Sequence, residues 1–153
     1  MVDEEEHNKL KETLDKVISS YRKQSLFTTT LLLWVIALVI EVTIRTYDLY
    51  RIAPDVDILS HLFSGIAMAA GLFWLSDKWN FPHYRFAAIF GTIVISLLWE
   101  LVETLQELVI KNPQYLLDFF IWDGFFDVVV AVIGATIFVL VRKNIVHKNG
   151  ISY

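Results

Sequence analysis

Four apolar runs dominate the chain: Leu26–Ile44, Ile58–Leu75, Phe86–Val109 and Phe119–Val141. Each is close to the ~20 residues a helix needs to cross the hydrocarbon layer of a bilayer. The prolines Pro54, Pro82 and Pro113 all fall in the gaps between runs, where their missing N–H and bulky ring end helices rather than kink them. The pattern predicts an all-α fold, an integral membrane four-helix bundle, antiparallel because the connections are short. Ahead of the first run, Leu10, Leu14, Val17, Ile18 and Tyr21 recur with helical period while Lys and Glu fill the other faces. Residues 1–25 are therefore expected to form an amphipathic helix, lying on the membrane surface or packing under the bundle. Residues 26–143 make the transmembrane domain and 144–153 a short tail.

Composition changes this picture little and narrows it. Apolar residues make up 56% of the chain and mean hydropathy is +0.52, more apolar surface than a small soluble core can hide. There is no cysteine, which excludes disulfides, thiolate ligands and cysteine nucleophiles. A net charge of −4 without a basic stripe argues against nucleic acid as a partner. The polar first twenty-five residues do not read as a cleavable signal, so the first span is expected to act as an uncleaved anchor. Lys9, Lys11, Lys16, Arg22, Lys23, Lys78, Arg85, Arg142, Lys143 and Lys148 flank one side; Arg45, Arg51 and Lys111 flank the other. Ten against three predicts a multi-pass cell-membrane protein with both termini cytoplasmic. Trp74, Trp79 and Tyr84 on one side, with Tyr47, Tyr50, Tyr115 and Trp122 on the other, read as interfacial belts.

Seven ionisable residues interrupt the apolar runs: Glu41, His61, Glu100, Glu103, Glu107, Asp123 and Asp127. A charged side chain near the centre of a spanning helix costs about 2.5 kcal/mol or more. Counted along each helix from the side that carries few basic residues, all seven fall at one depth, in the outward half of the bundle. The faces agree as well. Glu100, Glu103 and Glu107 form one stripe at spacings of three and four, continued inward by Ser96 and Thr92. Asp123 and Asp127 share a face with Ala131 and Gly134. His61 shares one with Gly65 and Ala69, a small-xxx-small spacing that lets a neighbouring helix approach closely.

Like charges at these spacings repel, more strongly as the dielectric falls. Proton uptake or a cation among the acids relieves the repulsion. Carboxylates with one imidazole and no thiolate suit a divalent metal ion of the Mn, Fe, Zn, Mg or Ca kind. The expected ligands are His61, Glu100, Glu103, Asp123 and Asp127. Glu41 has a ready partner in Arg45 and, with Glu107 and Ser96, is expected to support the ligands rather than bind metal. Asp48, Asp55, Asp57 and Asp118 read as loop or cap residues. A Gly-rich phosphate loop, a nucleophile elbow and HExxH are all absent.

His61-x-x-x-Gly65, Trp99-Glu100-x-x-Glu103, and Asp123-x-x-x-Asp127 followed by Gly134 together resemble the pattern of small YjdF-like and VanZ-like membrane proteins, over residues 57–141. The resemblance implies an integral membrane protein of four to five helices; VanZ-like members are associated with glycopeptide resistance at the cell envelope. Unlike some members, this chain has no Asn near Gly134. The leading functional expectation is a metal-dependent membrane protein acting on a lipid or lipid-linked substrate from the outer leaflet. The alternatives are a cation or proton transporter using the same carboxylates, hampered by an apolar inner half, and a structural scaffold. Four helices make a thin wall, which leaves room for a homo-oligomer.

Overall fold

The structure, a computed structural model, describes the backbone of residues 4–53, 55–110 and 117–148; side chains at 22, 50–51, 107–110, 117–121 and 144–148 are not part of that description. Pro54, Lys111, Pro113 and Tyr115, and the side chains of Arg22, Tyr50, Arg51, Asp118 and Lys148, therefore lie outside the described residues. Among the described residues five helices follow one another: α1 (Glu4–Thr46), the single turn α2 (Leu49–Ile52), α3 (Val56–Lys78), α4 (Tyr84–Ile110) and α5 (Leu117–Lys148). There is no strand among the described residues. The helices α1, α3, α4 and α5 are each long and apolar enough to cross a membrane.

The amphipathic segment and the first span are not separate helices. They form one unbroken helix of 43 residues, because no Gly or Pro between Glu4 and Thr46 interrupts the i→i−4 ladder. The apolar face of its first half does not pack under the bundle: Leu10, Leu14, Val17, Ile18 and Tyr21 are all exposed. Helix ends elsewhere follow their chemistry. After α3, Asn80 takes a left-handed φ of 53°. The Phe81 N–H then donates to the Ser76 carbonyl at 2.8 Å and the Asn80 N–H to Asp77 at 3.2 Å. This is the paired capping pattern that closes a helix with a left-handed residue, and Pro82 follows it. Asp48 plays the same left-handed role after α1, with φ 49°.

α3 is the central helix. It packs against α1, α4 and α5, and α4 and α5 also pack on each other, whereas among the described residues α1 has no extended interface with either of them. The α3–α5 seam is the tightest because small residues line both sides. A Cβ added at Gly65 would run into the backbone of Ala131, and one at Gly134 into the backbone of Leu62. Without a hydrophobic force between helices in lipid, close backbone approach is what makes such a seam stable. Towards the α3–α4 turn the bundle is filled by Leu26, Ala69, Ala70, Phe73, Ala88, Ala135, Phe138 and Val139. Phe73 packs edge-on against Tyr84 and Phe138, at 4.8 and 5.9 Å between ring centroids. Tyr84, expected as a belt residue, is thus a packing residue, and Trp74 packs on Phe27 at 5.3 Å. Outside, Leu31, Val35, Leu98, Phe126 and Leu140 are exposed, the apolar coat expected of helices that face lipid.

Candidate functional site

The polar end of the bundle, opposite the α3–α4 turn, gathers side chains from four helices. At its centre is His61, one turn below Asp57 on α3. Its Nε2 lies 3.4 Å from Asp57 Oδ1 and 3.6 Å from Asp127 Oδ2; its Nδ1 lies 3.9 Å from Glu100 Oε1. His61 and Glu100 side chains are mostly buried and Asp127 is buried. The three ligand atoms offered by Asp57, His61 and Asp127 lie within 4.8 Å of one another. Bonds of about 2.0–2.2 Å to a common ion hold donor atoms roughly 3–4 Å apart; the two distances from His61 Nε2, 3.4 and 3.6 Å, fall in that range, and the carboxylates would draw in slightly to share one ion. The α4–α5 approach sets the position of Glu100: a Cβ at Gly124 would stand 2.8 Å from Glu100 Oε2, so the missing side chain makes room for the carboxylate.

A second polar group ties α1 to the bundle. Glu41 accepts from Arg45 Nε one turn later and from the buried Ser60 hydroxyl on α3. Arg45 also faces Glu103 Oε1 at 3.9 Å, which joins α1 to α4 by charge rather than by a packed face.

Both groups line one cavity of about 760 Å³, within the roughly 300–1,000 Å³ usual for small-molecule sites. Its polar end holds the residues above, with Asp123 and Gly124. It continues inward past Ser64, Ser96 and Ala131 to Trp34, Met68 and Ile95.

Of the residues expected as ligands, His61 and Asp127 stand in the central trio, and Glu100 stands on the far side of the imidazole. Glu103 is drawn to Arg45 instead. Asp123 lines the cavity one turn from Asp127 but is exposed. Glu41 and Ser96 line the cavity; the side chain of Glu107 lies outside the described residues. Asp57, expected as a loop or cap residue, is neither: it lies in the first turn of α3, where Asp55 holds the N-cap position, and faces His61. Its spacing of four from His61 puts both on one face, a signal present in the sequence.

A family model described as "Predicted membrane protein (DUF2238)" matches residues 14–149. The match spans nearly the whole chain, bundle and polar cluster included. No curated protein and no solved structure matches. The chain belongs to this family of predicted membrane proteins.

Proposed function

For this member of a membrane family, we propose a divalent-cation site built from Asp57, His61 Nε2 and Asp127, serving a lipid or lipid-linked substrate at the membrane surface. The observation that carries it is the convergence of three ligand atoms, from two helices, within 4.8 Å. The donor set, one imidazole and two carboxylates, is hard and oxygen-rich, and leaves coordination positions for water or substrate. Glu100, 3.9 Å from His61 Nδ1, is on the side from which a carboxylate commonly receives the other ring N–H of a ligating histidine and fixes its tautomer. A cation held there polarises a phosphoryl or ester oxygen and lowers the pKa of bound water. Glu103 and Asp123, further out, face incoming polar groups.

The surroundings favour a one-sided site over a translocation path. Beyond the cavity, Ala69, Ala70, Ala88 and Ala135 are fully buried in a closed core, and Thr92 satisfies its hydroxyl on the Ala88 carbonyl. The basic residues Lys78, Arg85 and Lys143 sit at the opposite end, which places the site near the outer leaflet if that end is cytoplasmic. The resemblance to YjdF-like and VanZ-like proteins accords with an envelope role.

Elemental analysis of detergent-purified full-length protein, dialysed against Mn or Zn, tests the reading. One equivalent is expected in the wild type, lost in Asp127→Asn and His61→Ala and kept in Asp48→Asn. A wild type that is stable without metal and takes up none overturns it. Cation flux in liposomes that disappears in Asp127→Asn would instead assign the carboxylates to transport.

A further inference from the structure

The cavity has a length and a direction. On α1 its wall runs from Arg45 at the polar mouth down to Trp34, and on α3 from Asp57 down to Met68. Each pair is eleven positions apart, about 16 Å of helix rise. Half of a hydrocarbon core of about 30 Å is about 15 Å, so the slot reaches from the polar edge of one leaflet to the bilayer midplane. There the core around Ala69, Ala70 and Phe73 closes it.

It is also open sideways. Trp34 and Leu38 on α1, with Ile95 and Trp99 on α4, line the cavity and are at the same time exposed, because α1 and α4 share no extended packing. The gap between these helices faces the membrane interior. Water in the lower part would find few polar partners, and a site for water needs two to four. The surrounding medium at that depth is hydrocarbon.

We infer that the slot holds one chain of a membrane phospholipid, admitted between α1 and α4, with its phosphate head beside Arg45 and the Asp57–His61–Asp127 group. The head placement rests on the proposed cation site; the chain placement does not. Arg45, which pairs with Glu41 through Nε and lies 3.9 Å from Glu103, is at the mouth, and a guanidinium there suits a phosphate. The graded lining, charged at the mouth and mostly apolar below, matches an amphiphile.

The test uses full-length protein in nanodiscs containing phosphatidylglycerol with a diazirine at mid-chain, followed by native mass spectrometry and peptide mapping. The expected result is one lipid retained per chain, with crosslinks on Met68 and Ile95. Met68→Trp and Ala37→Phe, which fill the slot away from the polar group, should reduce that labelling at least tenfold while leaving cation content unchanged. His61→Ala should lose the cation and keep the chain crosslinks, so that failure of the cation site and failure of the slot read differently. Crosslinks confined to outward residues such as Leu97 and Phe126 in the wild type overturn the inference without recourse to any variant. So do equal labelling of the filled variants, displacement by inorganic phosphate, or lipid-free dimers closed across the α1–α4 gap.

Discussion

Gly65→Ala tests whether the tight α3–α5 seam holds the candidate site together. The new Cβ would stand 2.7 Å from both the Cα and the carbonyl carbon of Ala131, against the roughly 3.5–4.0 Å of ordinary contact. The obstacle is backbone, so no rotamer change relieves it and the helices must part by about 1 Å. Overpacking of this kind costs roughly 1–3 kcal/mol, here towards the upper end. Replacing a helical Gly by Ala returns about 1 kcal/mol, leaving a net loss of about 2 kcal/mol, up to about thirtyfold in the folding constant. His61 lies one turn above Gly65, and Asp127 one turn above Ala131. Parting the seam therefore stretches the 3.6 Å between His61 Nε2 and Asp127 Oδ2 beyond the about 4.4 Å that two metal bonds of about 2.2 Å can bridge. Unfolding by denaturing detergent, read together with bound metal, should show both losses. Gly71→Ala is the control, since its nearest neighbour is the tip of Trp34 at 3.1 Å, which can turn aside. A Gly65→Ala protein as stable as wild type, with full metal content, would refute the reasoning.

Asp57→Asn should abolish cation uptake as fully as Asp127→Asn, while Asp55→Asn, two residues earlier and exposed, should leave it intact; metal content after dialysis decides. Gly124→Ala should push the Glu100 carboxylate from its place 2.8 Å away, weakening cation binding several-fold by titration calorimetry with little change in melting. Ser60→Ala removes the buried hydroxyl that donates to Glu41 and should cost about 1 kcal/mol, measured by detergent unfolding, without altering metal content. Chelator should lower the melting temperature of the wild type and leave that of His61→Ala unchanged, as binding to the native state alone requires; equal shifts in both would remove the cation from the account.

The spans were legible because lipid enforces a simple rule, that every backbone polar group in the hydrocarbon be satisfied within its own helix. That rule writes long apolar runs into the sequence, and the observed helices contain all four predicted runs. The small-residue register was equally plain: Gly65 and Ala131 do meet. Depth and helix face brought His61, Glu100 and Asp127 together on paper as they are in space. Partner choice was harder to read. Glu103 and Glu100 share a stripe, yet the first turns to Arg45 and the second to His61, a matter of which neighbour each helix face meets. Asp57 escaped because a carboxylate in a first helical turn near a proline has the same sequence signature whether it caps the helix or faces inward. The unbroken α1 escaped for the opposite reason: the change from amphipathic to uniformly apolar suggested a joint, but a change of composition is not a break in hydrogen bonding.

The lateral opening has the character of a built feature rather than loose packing. Poor packing along the α1 contact would leave voids at all depths. In the half nearer the α3–α4 turn, however, α1 is fastened: Leu26 is almost fully buried, the Thr30 hydroxyl donates to the Ala70 carbonyl at 3.2 Å, and Phe27 packs on Trp74. At the other extreme Glu41 on α1 accepts from the Ser60 hydroxyl on α3. Between these two fastenings the cavity wall passes through Ala37, whose small side chain is buried and lines the slot. A helix pinned above and below and hollowed in the middle encloses a space one leaflet deep, and the polar fastening lies beside the carboxylates that any head group in that space would meet.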